Sequence, residues 1–253
     1  MAKDKIIHTK YLIIGNSAGG IGAAEAIRQR DKAGSLTIVS DEPYPAYSRP
    51  MIENYLAGDA TMDRMLYRPK DFYEKRDITL VAGRKAVSLD PAGHKVTLDD
   101  GQTIAWGKLL LATGGRPIVP PMPGVDKKGV FTFTTLDDSK KLAQALKPGD
   151  RVVVIGGGLI GISVAKPLAK LGTHVIMVEL KDRVLSTVLD KETSRMVEER
   201  LAANGVELIT GQSVQEVLGS PFDQSTVGGV RLQDGRQIQC SVVIVAIGVT
   251  PRL

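Results

Sequence analysis

Residues 151–161 read RVVVIGGGLIG, and this stretch decides the fold. Within the strand Arg151–Ile155, Val152–Ile155 is a run of β-branched apolar residues, the pattern of a strand buried on both faces of a parallel sheet. Gly156, Gly158 and Gly161 follow as G-x-G-x-x-G, and Leu159 to Leu171 carries helical apolar spacing. Strand, glycine turn and helix in this order predict a cradle for a pyrophosphate. Gly156 permits the tight turn, Gly158 lets the backbone approach the phosphates, and Gly161 lets helix and strand pack closely. Gly158, Leu159 and Ile160 open the helix, where unpaired N–H groups and the positive end of the dipole favour an anion. Glu179 follows the next strand, Val175–Val178, where a carboxylate accepts hydrogen bonds from a ribose diol and repels a 2′-phosphate. NADH is therefore expected over NADPH, with Lys181 and Arg183 close enough in sequence to weaken that preference.

Working outward, a helix is expected over Lys191–Ala203, a strand over Val206–Ile209, a strand pair around QDGRQ and a last strand over Val242–Ile247. On the other side, GRPIVPPMPG (Gly115–Gly124) reads as a linker. Before it the same plan appears once already. Tyr11–Ile14 is a buried strand, GNSAGG a turn, and Ala23, Ala24, Ala26 and Ile27 mark a helix. Leu36–Val39 is a second strand, and Asp41–Pro50, with three prolines, is a loop. Pro69 is expected to open a short helix. From Ile78 to Thr113, short strands and the turns DPAG and DDGQ read as a β-meander and not as another βαβ unit. Gly15 aligns with Gly156, Asp100 with Asp234 and Gly114 with Gly248, in one order, so the chain holds two copies of one unit. The expected fold class is α/β: two Rossmann-like dinucleotide-binding units, each a three-layer ββα arrangement with a meander insertion. In the first copy Gly15, Ser17 and Gly20 form the turn with Ala18, and serine replaces the middle glycine. Asp41 is the preferred ribose carboxylate there, with Glu42 beside it.

Composition removes most other classes. The 253 residues carry a net charge of +5, with 43% hydrophobic and 24% charged residues, an ordinary globular balance. The longest apolar run, Val242–Val249, is far short of a membrane span, and MAKDKIIHTK at the start lacks the apolar core of a leader, so a cytoplasmic location is expected. No basic and aromatic cluster points to nucleic acid. A single cysteine, Cys240, rules out a disulfide framework and multi-cysteine metal sites within this chain; next to a buried strand it reads as a core residue. No metal is expected.

These residues carry a resemblance. GNSAGGIGAAEAIR, SDEPYPAYSRP, LLLATGGRP, the GGGLIG core and VVIVAIGVTP resemble the FAD-dependent pyridine nucleotide-disulfide oxidoreductase superfamily. The nearest branch is that of rubredoxin reductases, NADH oxidases and nitrite reductases. The resemblance implies FAD in the first unit, residues 1–116 with a return at 248–253, and NAD(P)H in the second, residues 117–247. It also implies that Arg49 and Pro50 lie near the FAD and Val81 and Ala82 near its adenine. Ala112, Thr113 and Gly114 are implied to cover the FAD where the chain leaves the first unit, with Gly248 at the corresponding crossover.

Departures from the family pattern sharpen the expectation. No C-x-x-x-x-C follows the first helix, so there is no redox disulfide, and electrons would pass from flavin to acceptor directly. A glutamate common two residues after the last glycine is Ser163 here, and Pro167 is expected to kink the helix. The chain stops at Arg252-Leu253, before the Gly-Asp motif and interface domain of the family, as expected of a fragment or of a subunit with a complementary C-terminal partner. The function expected is an NAD(P)H:acceptor oxidoreductase with no side chain acting as acid or base in hydride transfer. Its acceptor is a small molecule or a protein, and an acidic iron–sulfur or rubredoxin-like protein suits the charge. The alternative is a nucleotide-binding subunit, inactive without a missing C-terminal segment.

Overall fold

The computed structural model describes residues 6–252. Met1–Lys5, half of the stretch read for a leader, and Leu253, the last residue of the expected return, lie outside the described residues. In chain order the elements are β1 (Ile7–Ile14), α1 (Ala18–Arg30), β2 (Leu36–Ser40), α2 (Ile52–Leu56), α3 (Met62–Met65), α4 (Phe72–Lys75), β3 (Ile78–Ala82), β4 (Ala86–Asp90), β5 (Lys95–Leu98) and β6 (Thr103–Leu111). They continue as β7 (Gly115–Pro117), β8 (Val130–Phe131), α5 (Leu136–Ala145), β9 (Arg151–Ile155), α6 (Leu159–Lys170), β10 (His174–Glu179) and α7 (Lys191–Ala203). The last strands are β11 (Val206–Thr210), β12 (Val214–Gly219), β13 (Val227–Leu232), β14 (Gln237–Gln239), β15 (Val242–Val245) and β16 (Val249–Pro251). Contacts divide the chain into two units. The first holds the residues up to Ser48, Met62–Gly114 and the residues from Pro251; the second holds Arg49–Thr61 and Gly115–Thr250.

The first unit is built on a six-stranded sheet of order β3-β2-β1-β6-β5-β4. Its first four strands run parallel, and β5 and β4 turn back as an antiparallel meander from β6. Alternation along β1 and β2 sends Ile13 and Ile38 to one face and Leu12 and Val39 to the other. The first pair packs with Ile21 and Ala24 of α1 and with Phe72. The second packs with Val96, Leu98, Ile104 and Trp106 of the meander strands. Arg28, at the end of α1, is buried and donates to the carbonyls of Asp31, Gly34, Arg76 and Asp77. Those bonds satisfy a buried guanidinium and tie α1 to the start of β3.

The second unit repeats the plan with a five-stranded parallel sheet, β11-β10-β9-β15-β8. Helix α6 packs against β9 and β10. On the sheet, Val153, Ile155, Ile176, Val178, Val243 and Val245 meet Val217, Val227, Val230 and Leu232 of a separate three-stranded sheet, β12-β13-β14. A two-layer β arrangement with helices on the remaining side is the ββα architecture the sequence implied.

Two local expectations are corrected. The stretch from Ile78 is not all meander: β3 pairs in parallel with β2, Ile78 opposite Leu36 and Val81 opposite Val39, and the meander proper begins at β4. Burial of Ile78 beside Leu36 and Ile38 puts β3 there, although only short helices lie between β2 and β3. Pro69 does not open a helix; it sits in the preceding turn, its carbonyl accepting from Phe72 N, and α4 starts at Phe72. Helix α6 includes Pro167 and runs on to Lys170; its Val164, Ala165 and Leu168 are fully buried, so tertiary packing outweighs the lost backbone bond.

Candidate functional site

The two glycine turns are made by the same backbone bonds. Gly15 N donates to Val39 O and Gly156 N to Val178 O, each at 2.8 Å. Ala112 N donates to Ile14 O and Ala246 N to Ile155 O, again at 2.8 Å. Ile21 N reaches Ser17 O at 2.9 Å and Ile162 N reaches Gly158 O at 3.0 Å, which starts each helix. The outer glycines have no alternative. Gly15 and Gly156 hold φ of +121° and +109°, and a Cβ would stand 2.0 Å from Ala112 O and 2.6 Å from Ala246 O respectively. At Gly20 and Gly161 it would stand 1.9 and 2.0 Å from the carbonyl oxygens of Gly15 and Gly156.

The middle position is different in kind. Ser17 and Gly158 are the N-caps of α1 and α6, both extended, and neither helix start receives a side-chain cap or carries an acidic residue in its first turn. A Cβ at Gly158 would meet nothing within 4 Å. The position is therefore glycine without any packing demand from the protein, as expected of a place where another molecule's atoms come close. Open space before uncapped N–H groups fits a pyrophosphate on Gly158, Leu159, Ile160 and Gly161; α1, also without a side-chain cap, offers the corresponding N–H groups of Ser17, Ala18, Gly19 and Gly20.

The carboxylates are disposed unlike one another. Glu179 folds back over its own turn: Oε2 accepts from Gly157 N at 2.6 Å and Oε1 from Lys181 N at 2.7 Å. Arg183 is drawn into the loop after β10, donating to Asp182 Oδ1 at 2.9 Å and to the Ser186 carbonyl at 3.3 Å. In the first unit Asp41 Oδ2 is paired with Arg252 Nη1 at 2.6 Å, and Glu42 accepts from the Tyr47 hydroxyl. The place of Gly157 is taken by Asn16, whose Oδ1 accepts from Tyr73 Oη at 2.8 Å and whose Nδ2 donates to the Tyr44 carbonyl at 3.2 Å. Tyr73 Oη in turn accepts from Ala46 N at 3.0 Å, and burial pushes its phenol above the ordinary tyrosine range, keeping it a neutral donor.

Around these turns the first unit gathers most of the residues singled out. Val81 and Ala82 end β3 in register with Val39 and Ser40, beside Asp41. Ala112 lies over Gly15; Thr113 Oγ1 donates to the Arg252 carbonyl at 2.6 Å, and Gly114 O accepts from Arg252 N at 3.0 Å. In the second unit Gly248 occupies the equivalent place with φ +122°, its carbonyl accepting from Ile118 N at 2.9 Å. Arg49 and Pro50 group with the second unit, where Arg49 Nη1 donates to Thr134 O at 3.0 Å. Ser163 turns its hydroxyl back to Ile160 O at 2.9 Å. Cys240 is buried, and that burial pushes its thiol up to about 12, so it is inert at neutral pH. No group of metal-ligating side chains is found among the described residues, and no helix among them is long and apolar enough to cross a membrane.

Sequence reasoning passed over Asn16, Tyr73 and Arg252. Asn16 stood inside the quoted turn, but the glycine rule attends only to its neighbours. Tyr73 carries no periodic signal at all. Arg252 could have been found by asking what neutralises an acid at the end of β2.

Two successive strand–glycine turn–helix units, each with a helix N-terminus uncapped by any side chain and a carboxylate at the next strand end, define an α/β protein of the dinucleotide-binding type. The chain belongs to the pyridine nucleotide-disulphide oxidoreductase family, whose pattern it matches over residues 9–253; FAD and NAD(P)H are the cofactors of that family. It is 34% identical, over 96% of its length, to a probable ferredoxin reductase of Castellaniella defragrans. It is 36% identical, again over 96%, to the ferredoxin reductase subunit of the 5,5′-dehydrodivanillate O-demethylase of a Sphingobium species. Among solved structures, the putidaredoxin reductase in its covalent complex with putidaredoxin superimposes with a TM-score of 0.88 at 30% identity over 96% of this chain. The chain spans 59% of the length of each of these three proteins.

Proposed function

We propose that the chain supplies the two nucleotide-binding units of an FAD-dependent NAD(P)H:acceptor oxidoreductase, with FAD on the first unit, NADH on the second and a ferredoxin-like iron–sulfur protein as acceptor. The observation that carries this reading is the repeated turn, in which the same backbone bonds leave two helix N-termini uncapped by side chains. Relatives named ferredoxin reductases supply the acceptor class, and a net charge of +5 suits an acidic partner.

When bound, FAD takes two electrons as a hydride from a reduced nicotinamide and hands them on, chemistry that side chains do not provide. The chain's own part is placement. The turn at Gly156–Gly161 would hold a pyrophosphate by backbone N–H groups, and Glu179, whose two oxygens each accept one backbone N–H, would accept from a ribose diol with the lone pairs that remain. With Arg183 bonded within its own loop, the carboxylate's repulsion of a 2′-phosphate is little offset, which favours NADH. The only cysteine is buried and protonated, so this chain offers no thiol–disulfide relay of its own.

The test is the visible absorption spectrum of the purified chain before and after anaerobic NADH. A flavin band that bleaches is the expected result. A protein that stays colourless with added FAD while still binding NADH favours the nucleotide-binding subunit instead.

A further inference from the structure

The Asp41–Arg252 pair occupies a position its strength does not explain. Both partners are about two-fifths exposed, where an ion pair is worth little. Yet Arg252 is placed with care by its main chain: its N–H donates to Gly114 O, and its carbonyl accepts from Thr113 Oγ1. Thr113 and Gly114 follow β6, whereas Asp41 follows β2, and β1 runs between these two strands in the sheet. An arginine anchored at the end of β6 and bonded at the end of β2 must pass over the end of β1. That is where the Gly15–Gly20 turn begins and where the N-terminus of α1 opens. A planar guanidinium with five donors, held on a weak surface partner at the strand ends from which the α1 turn leaves, is suited to a phosphate.

We propose that Arg252 is a cofactor-binding residue of the first unit: its guanidinium rests on Asp41 while the site is free and transfers to the dinucleotide pyrophosphate on binding, releasing the Asp41 carboxylate for the ribose diol. The inference rests on FAD as the occupant of the first unit. Two opposite charges that neutralise each other in the free protein each gain a partner of suitable chemistry, and the exchange is cheap because the pair it breaks is solvent-screened. The main-chain bonds to Thr113 and Gly114 keep the arginine in place when its side chain lets go.

The experiment is titration of the FAD-free chain with FAD, followed by flavin fluorescence anisotropy at 50 and at 500 mM NaCl, for the wild type, Arg252→Met and Arg252→Lys. Arg252→Met is expected to raise the FAD Kd about tenfold and to flatten its salt dependence, since one cation–phosphate contact is lost. Arg252→Lys, which keeps the charge without the fork, should fall between. The melting temperature of the FAD-free protein should be nearly unchanged in both. Equal FAD affinity in wild type and Arg252→Met overturns the inference. So does tighter binding, which makes the arginine a plug on Asp41, and so does weaker binding with an unchanged salt dependence. In those three cases FAD still occupies the first unit. If the wild type takes up no FAD, that assignment falls and the inference with it.

Discussion

The two glycine turns share their backbone and differ in how side chains finish them. At Gly156–Gly161 the finishing group is local: Glu179, at the end of the adjacent strand, accepts from Gly157 N and Lys181 N. At Gly15–Gly20 it is assembled from distant sequence. Asn16 is held by Tyr73 and by the Tyr44 carbonyl, and Asp41 by Arg252. The phosphate cradle needs only strand, glycines and helix, so it is copied; the surround is free to differ. The second unit can form its site from one stretch of about 30 residues, the size of a βαβ unit. The first requires the loop after β2, helix α4 and Arg252.

The shared part breaks hardest. Gly20→Ala and Gly161→Ala each force a Cβ to within about 2 Å of a backbone carbonyl. Each is expected to cost about 3 kcal/mol or more, lowering the melting temperature by roughly 10 °C. Thermal melts would check this, and a marked difference between the two variants would show the turns to be less alike than their bonds suggest.

The second effect separates the units. Glu179→Ala removes the carboxylate of one turn only, so NADH affinity should fall about tenfold, the worth of one or two charge-assisted hydrogen bonds, while FAD affinity is unchanged. Titration with each nucleotide decides it, and equal loss of both would undo the division of the two sites. The smallest effect lies at the middle position. Gly158→Ser should leave stability unchanged, because nothing is within 4 Å of the added Cβ, yet weaken NADH by about threefold through a longer approach. Ser17→Gly should give a comparable gain in FAD affinity, both read from binding isotherms.

Much of this was legible in sequence because it rests on short-range rules. β9 and α7 span the residues expected of them, Arg151–Ile155 and Lys191–Ala203, and the two turns lie where the glycines are. What escaped depends on tertiary context. β12 was missed because its buried valines, Val214 and Val217, are three residues apart; a register shift between Val214 and Glu216 breaks the alternation that marks a strand. β3 was taken into the meander because its partner β2 is separated from it by short helices that carry no periodicity. Helix α5 did leave a signal, the reciprocal cap of Thr135 and Asp138, which went unread. Of the site, the glycines and Glu179 follow from spacing alone, whereas Asn16, Tyr73 and Arg252 act through partners dozens of residues away.

One difference between the units reaches beyond binding. Ile104 and Ala105 of β6 pair with β1 on one side and with β5 on the other, so the first unit's meander is stitched into its parallel sheet. In the second unit Cys240 and Ser241 interrupt the path between β14 and β15, and the three-stranded sheet lies on the parallel one mainly through apolar contacts. Amide protons of β13 and β14 can therefore exchange with solvent through a partial opening that leaves β9, β10 and β15 intact, while those of β5 exchange only when its pairing within the first unit's main sheet, to β6 or to β4, is broken.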